Sequence, residues 1–527
     1  MNSNLNTFKS LLGSLSPRAW VRVIIIVQLL LLGWQFTPEP CTDGDNAVLF
    51  ILGKSFVTGH GFHNLHLVGE PVETTMPFLF PLVLGLCQIV FKTPLFAQIL
   101  MGLLGVASTL LVYRLFKNLP NIMLFPLLSM VAASHLIARY SLNFMSEILY
   151  VAVTLLALVL LRRSLDQPKN ILLFGLTILV SLMPLHTRSI GIAFSAAWIV
   201  TLLFERRFRY AIVHAAALGL VAFIIKLMAP GDSGYGFLLW QRDLYDPQVG
   251  TITPIELVDR FAENFQIHFN YIIGGSFIPF TRPPSPALIG TISKIVIAFS
   301  LIGWFRNLFQ STRIISVYLF MYMGIVLVWP IPNDRRIACI IPFLFLFLLQ
   351  GIDYILSLFS SRGSDAPQRV FAAPAGKGLV RNAKIVLVLM TALVVIPNLT
   401  FRLATPGFAN RLGPDWDNFY SCADWVRFNT PRDAVIMSRK PELLYLRADR
   451  KGLVYPYSHD IEVIIKSMRD NNVSYIVFDN FGWTRTTAKY LYPAIVSRPE
   501  LFKVVYAVPN PEFFVMEFNR TVKADAQ

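Results

Sequence analysis

A few charged residues stand out in a chain that has little charge to spare. The stretch "DGDNAVLF" places Asp43 and Asp45 just past the first apolar run. "NFMSEILY" puts Glu147 at the start of a later run, and "PLHTRSIG" carries His186 and Arg188 between two more. "WPIPNDRRI" adds Asp334, Arg335 and Arg336. A carboxylate can take a proton from an acceptor hydroxyl. A guanidinium fork matches the oxygens of a phosphate. Each residue also has a plain structural use. Asp43 or Asp45 can cap the helix that "DNAVLFILGKSF" forms, which reads as amphipathic. Glu147 can complement a helix dipole, and an arginine at a helix end can anchor in the interface. What favours chemistry is that all of them fall on one side of a membrane, as follows.

The chain has 527 residues, 55% hydrophobic and only 15% charged. Soluble domains carry about 25% charged residues, so the composition is that of a polytopic membrane protein. Apolar runs that suit crossings lie near 18–36, 95–115, 120–139, 146–161, 170–185, 189–204, 211–228, 286–305, 314–330, 337–359 and 385–402. The first follows Lys9, Arg18 and Arg22 and lacks a small-residue cleavage site, so it reads as a retained signal anchor. A twelfth run, 77–91, is shorter and holds two prolines. Basic clusters follow at Arg114/Lys117, Arg162/Arg163/Lys169, Arg206/Arg207/Arg209, Arg306/Arg313 and the 362–384 loop. Two crossings separate each from the next, so they share the cytoplasmic side. The N-terminal cluster joins them only if 77–91 does not cross. Eleven crossings result, with the N-terminus cytoplasmic, the C-terminus outside and the candidate residues on the outer face.

These inside segments hold eighteen basic residues and three acids (Asp166, Glu205, Asp365). Their balance of +15 is the whole net charge of the chain. The excess therefore reflects topology and anionic-lipid contact and excludes a nucleic-acid footprint. The predicted organisation is a membrane domain, 1–402, with outer loops 37–94 and 229–285, and an outer α/β domain, 403–527. The second loop carries an amphipathic stretch, "PIELVDRFAENFQIHFNYI", suited to the membrane surface. In the tail, helix-like "DNFYSCADWVRF" and "HDIEVIIKSMRDN" alternate with strand-like "DAVIMS", "SYIVFD", "FKVVYAV" and "FFVMEF".

Other chemistries find less support. The chain has no GxxxxGK[ST] motif and no GxGxxG between a strand and a helix, so a cytosolic nucleotide donor is not expected. His60, His63 and His66 recur every three residues without an acid or cysteine beside them. A polar loop without cofactor is expected, with a divalent cation as the alternative. Four cysteines are too few for a disulfide scaffold, although Cys41 and Cys422 would both lie outside and could pair.

With these residues in hand, the chain resembles the GT-C superfamily of glycosyltransferases that use polyprenyl-phosphate sugars. The nearest branch is that of protein O-mannosyltransferases and lipid A aminoarabinose transferases. "DNAVLFILGKSFVTGHGF" and "TTMPFLFPLVLGL" match the branch's first-loop pattern, and Asp45 falls on its catalytic acid. "MSEILY" matches its second acidic position, hence Glu147. The "TR" turn gives Arg188, and "NDRRIACIIPFL" gives Asp334 and Arg336. Leu49 or Phe50 stands where an aromatic usually follows the first acid.

The resemblance implies transfer of a sugar, with inversion, from a polyprenyl phosphate to an acceptor hydroxyl of a glycan, lipid or protein. Asp45 would be the base, with Glu147 and Asp43 in support. Arg188, Arg336 and Arg335 would hold the phosphate, and Asp334 and His186 would support the acceptor. Compact loops and few cysteines point to a bacterial inner membrane. The rival reading is a secondary transporter or flippase for a lipid-linked or glycan substrate. Such proteins place ionisable groups near the bilayer midplane, whereas here they gather at one face.

Overall fold

A computed structural model describes residues 16–38, 44–90, 94–228, 235–280, 285–310, 312–360, 377–407 and 413–520. Every run expected to cross is helical. Six helices are long and apolar enough to do so: Pro17–Gln35, Pro94–Phe116, Glu147–Asp166, Pro286–Asn307, Ile341–Leu358 and Lys384–Ala404. The chain is an integral membrane protein on this count. Helices Ile171–Thr187, Ser189–Phe204 and Arg313–Val328 are apolar but have only 16 or 17 residues, and helix Phe208–Met228 has 21. Length and composition thus support six or seven full-length spans among the described residues, with the shorter apolar helices standing where further crossings were expected. Helix Leu79–Val90, in the run set aside as non-crossing, has 12 residues, about 18 Å at 1.5 Å per residue.

One expected span is broken. Instead of a single helix over 120–139, Asn121–Ala133 and His135–Leu142 meet at an angle of 44°. No proline or glycine marks the break, which falls at Ser134. Backbone groups freed inside an apolar bundle need partners, and the helix Lys377–Ala404 supplies them. Asn398 Oδ1 accepts from the His135 amide at 2.8 Å. One turn later, Arg402 donates to the Ala132 carbonyl at 2.9 Å and to Gln35 Oε1 at 2.7 Å. Asn398 also donates to the Phe277 carbonyl at 2.7 Å. Replacing Asn398 by Leu strands these groups and is expected to cost about 1–3 kcal/mol. Thermal unfolding of the purified protein in detergent reads the loss.

Small residues set the closest helix contacts. A Cβ on Gly303 would strike the Phe347 carbonyl, and one on Gly351 the Phe299 carbonyl. Helices Pro286–Asn307 and Ile341–Ser360 therefore pack backbone to backbone, as small residues permit in membranes.

The tail forms a five-stranded sheet. Its strands are β1 (Val435–Ser438), β2 (Gly452–Leu453), β3 (Val473–Phe478), β4 (Phe502–Val508) and β5 (Phe513–Phe518), in the order β2-β1-β3-β5-β4. β1 pairs in parallel with β2 and β3, and β5 runs antiparallel to β3 and β4. The four strand-like stretches all lie on observed strands, and Pro414–Asn429 and Ile461–Asp470 are the two helices read from the sequence. Cys422 is buried in the core of this unit. Its suggested partner Cys41 lies outside the described residues.

The outer loops dock against this sheet. The Gly452 amide donates to the His66 carbonyl and the Val68 amide to the Gly452 carbonyl, at 2.9 and 3.1 Å, extending the β2 edge. In the second loop, Asp246 accepts from Lys489 Nζ at 2.6 Å and from Tyr490 Oη at 2.7 Å. In the amphipathic helix Pro254–Ile267, Ile255, Val258, Phe261 and Phe265 are exposed, as a helix lying on a lipid surface requires.

Asp479, just past β3, is 2% exposed and accepts from Thr487 Oγ1 at 2.9 Å. Burial pushes its carboxyl up to about 6. The folded chain then holds a proton that the unfolded chain releases, so the stability this group supplies is full below pH about 4. It is lost as the pH rises through about 6. Relative to Asp479→Asn, the wild type is expected to lose roughly 3 kcal/mol between pH 4 and 7. Unfolding midpoints of the two proteins across that range test this.

Candidate active site

Asp45 is the first residue of helix Asp45–Val57. The N-cap is Gly44, at φ +108°, and no side chain caps the helix. The capping role open to Asp45 is therefore not taken, and its carboxylate is left for other partners. The helix is also not amphipathic in place. Ala47 enters the core of the C-terminal sheet unit, while Leu49 enters that of the helical bundle. Both sides are buried because the helix is wedged between the two. Gly53 lies against the backbone of Pro81 and Gly85, where a Cβ would clash. Phe50 stacks on Phe144, centroids 5.5 Å apart.

Glu147 opens the Glu147–Asp166 helix and is fully buried. Arg188 occupies the extended turn after helix Ile171–Thr187. Arg335 and Arg336 lie on a short helix, Asp334–Ala338. These distant segments converge. Arg335 Nη1 donates to Asp45 Oδ2 at 2.7 Å, and its Nε donates to Glu147 Oε1. Arg188 Nη1 reaches the same Glu147 oxygen at 2.5 Å and Ser146 Oγ at 3.0 Å. The order is Asp45, Arg335, Glu147, Arg188, with alternating charge. The second oxygen of Glu147 and Nε of Arg188 are buried without a partner.

Arg336 turns away from the acids. Its Nη1 donates to the Ile331 carbonyl at 2.9 Å and to Asn333 Oδ1 at 3.1 Å, and its guanidinium lies 4.6 Å from the Trp329 ring centre. It still lines the same cleft as Asp45, Arg188 and Arg335, a space of about 520 Å³. The three arginines and two carboxylates leave a surplus of one positive charge, which suits an anion. The Asp45 side chain is 56% exposed. The surrounding protein opposes its ionisation, but the charge and hydrogen bond of Arg335 outweigh this and hold the carboxyl below its ordinary range.

Two sequence candidates lie apart from the cleft. Asp334 faces Arg139 at 3.7 Å. His186 packs against Phe78, ring centres 5.2 Å apart. Neither residue lines the cleft. Asp43 lies outside the described residues. The three histidines of the first loop take separate roles. His60 meets Thr58, His63 meets the Glu70 carbonyl, and His66 is buried. Among the described residues no group of three His, Cys, Asp or Glu is placed to hold a metal ion.

The structure adds residues that were not singled out. Glu73 accepts from the Thr75 and Met76 amides at 2.7 and 3.2 Å and fixes the Thr75–Met76–Pro77 turn in the cleft wall. "TTMPFLF" was a motif match, and its turn was the available signal. Tyr245 from the second loop also lines the cleft. Lys440, from the C-terminal unit, lies against Gly44, and its charge acts on Asp45. Nothing local in the sequence marks Lys440.

No family model matches the chain, and no curated protein matches it either. Solved structures do match. The oligosaccharyltransferase of the archaeon Archaeoglobus fulgidus aligns with a TM-score of 0.59 at 12% identity, over 97% of this chain and 74% of its own. ArnT from Cupriavidus metallidurans in the apo state gives 0.55 at 13%, over 96% and 98%. ArnT bound to undecaprenyl phosphate gives 0.52 at 10%, over 95% and 98%. A likeness that runs the length of the chain at such low identity is a likeness of fold. The chain has the fold of the GT-C glycosyltransferases.

Proposed function

We propose that the protein is a membrane glycosyltransferase that moves a sugar from a polyprenyl phosphate to an acceptor hydroxyl on the outer face of the membrane. The observation that carries this is the cleft that joins an accessible carboxylate, Asp45, to three arginines. One group accepts a proton while the others receive phosphate charge. The related fold of ArnT has been solved with undecaprenyl phosphate, and that of the archaeal oligosaccharyltransferase with dolichol phosphate.

In the proposed reaction the acceptor oxygen attacks the anomeric carbon and its proton passes to Asp45. The bond from that carbon to the phosphate oxygen breaks, and the phosphate keeps the electron pair. Attack opposite the leaving group inverts the centre. The departing phosphate gains negative charge, so a cleft with surplus positive charge favours the transition state over the bound donor. Arg335 links the two halves of the step. A phosphate at Arg335 competes with Asp45 for Nη1, and losing that partner makes the carboxylate a better base. Glu147, fully buried, keeps Arg188 and Arg335 aimed at the phosphate.

Membranes containing the protein, supplied with radiolabelled undecaprenyl-phosphate sugars or nucleotide sugars, provide the test. Label should move to acceptor material from a lipid-linked donor alone. Transfer from a nucleotide sugar in washed membranes free of polyprenyl phosphate would refute the reading. Within this scheme Arg336→Lys is expected to lower turnover about tenfold or more, because a lysine lacks the fork. Initial rates with a saturating lipid donor measure it.

A further inference from the structure

An aromatic and cationic surface adjoins the cleft and is used by none of the steps above. It stands at the carboxyl ends of the parallel strands β1 and β3. β1 runs into Arg439 and Lys440, and β3 is followed by a loop that reaches Trp483. In open sheets the carboxyl ends of parallel strands form the crevice where ligands bind. Here that end faces the cleft. Tyr245, which lines the cleft and is 43% exposed, meets Trp483 edge to face, ring centres 5.1 Å apart. Trp416 lies nearly parallel to Trp483, at 6.5 Å and 12°. Lys440 Nζ stands 5.2 Å from the Trp483 ring centre and 5.9 Å from that of Trp416. The same lysine lies against Gly44, so the surface is continuous from Asp45 to Trp416.

Lys440 pairs with Glu442 at 3.5 Å, and the other polar groups that face the rings include unpaired donors. Arg439 Nε and Trp483 Nε1 are buried without a partner. A buried donor left unpaired is costly, so a site holding two of them suits an acceptor-rich ligand. Flat indole and phenol faces carry negative charge density that attracts polarised C–H edges. A ligand with a ring of C–H edges and a rim of hydroxyl oxygens meets both demands, and a sugar is such a ligand. A lipid tail would leave the donors unpaired.

We infer that the acceptor is a saccharide, seated on Tyr245, Trp483 and Trp416, with one hydroxyl presented to Asp45. The inference rests on the transferase reading and narrows its acceptor to one class. The full-length protein in detergent is applied to an array that carries oligosaccharides, Ser/Thr peptides and phospholipid vesicles. Retention by a saccharide is expected, and Trp483→Ala should weaken it at least tenfold. Tyr245→Ala, at an exposed loop position, should do the same and guards against misfolding of the Trp variant. Asp45→Asn should bind saccharide like the wild type while losing transfer. No saccharide retention, retention by peptides or vesicles alone, or saccharide binding indifferent to both aromatic variants would overturn the inference. Transfer that survives in Asp45→Asn would instead strike the transferase reading and leave saccharide binding to be judged by its own result.

Discussion

Asp45→Asn is expected to lower sugar transfer roughly a thousandfold, with little change in stability. The loss is large because the amide has the shape of the carboxylate but cannot take the acceptor proton. Stability changes little because Asp45 is largely exposed and does not cap its helix, and Arg335 keeps its buried partner Glu147. The amide oxygen can still accept from Arg335, so the cleft keeps its shape. Turnover measured beside a thermal unfolding curve separates the two effects. The wild-type pH profile offers a second view of the same residue. A base held below the ordinary carboxyl range stays ionised until the medium is strongly acid. The acid limb of kcat/KM, which reports the free enzyme, is therefore expected below pH about 4, and it should vanish from the residual activity of the variant.

Glu147→Gln is expected to act on both stability and turnover. One oxygen of Glu147 serves Arg335 and Arg188 together, and the residue is fully buried. Removing its charge leaves two guanidinium groups, only 24% and 12% exposed at the side chain, without their shared buried partner. Breaking a buried ion pair from one side costs about 3–5 kcal/mol. The arginines would then swing toward Asp45 or solvent, and the phosphate would lose its preformed seat. The variant should unfold at a lower temperature and bind the lipid donor poorly even where it remains folded. The contrast with Asp45→Asn is diagnostic. A base variant loses rate and keeps donor binding, whereas a variant of the buried carboxylate loses both. If Glu147→Gln kept wild-type stability and donor affinity, its role as the anchor of the two arginines would be wrong.

Much of the helical framework was legible because apolar run length and flanking charge are local signals. Every predicted run is helical, and the strand-like stretches of the tail lie on strands. The crossing count was less legible. A run such as 170–185 is apolar enough to span, and helix Ile171–Thr187, which ends at the Arg188 turn with 17 residues, sits at the lower end of the lengths that cross. The break at Ser134 was hidden for a different reason. The groups that satisfy it, Asn398 and Arg402, lie over 260 residues away, and the one local mark is Ser134, which caps the second helix. Asp45, Glu147 and Arg188 could be grouped by membrane side and by motif order, and Arg335 by membrane side alone, since the motif match fell on its neighbours Asp334 and Arg336. Their contacts could not be, since Asp45 and Arg335 are 290 residues apart. Lys440 and Trp483 escaped entirely. They reach the cleft only through docking of the C-terminal unit on the outer loops, and that docking leaves no periodic trace in the sequence.

Cryo-electron microscopy of the protein in lipid nanodiscs with undecaprenyl phosphate tests the central proposal most directly. Phosphate density is expected in the cleft within hydrogen-bonding reach of Arg188, Arg335 or Arg336, with the Asp45 carboxylate released from Arg335. Density elsewhere on the protein, or an unchanged Asp45–Arg335 pair under saturating lipid, would contradict it.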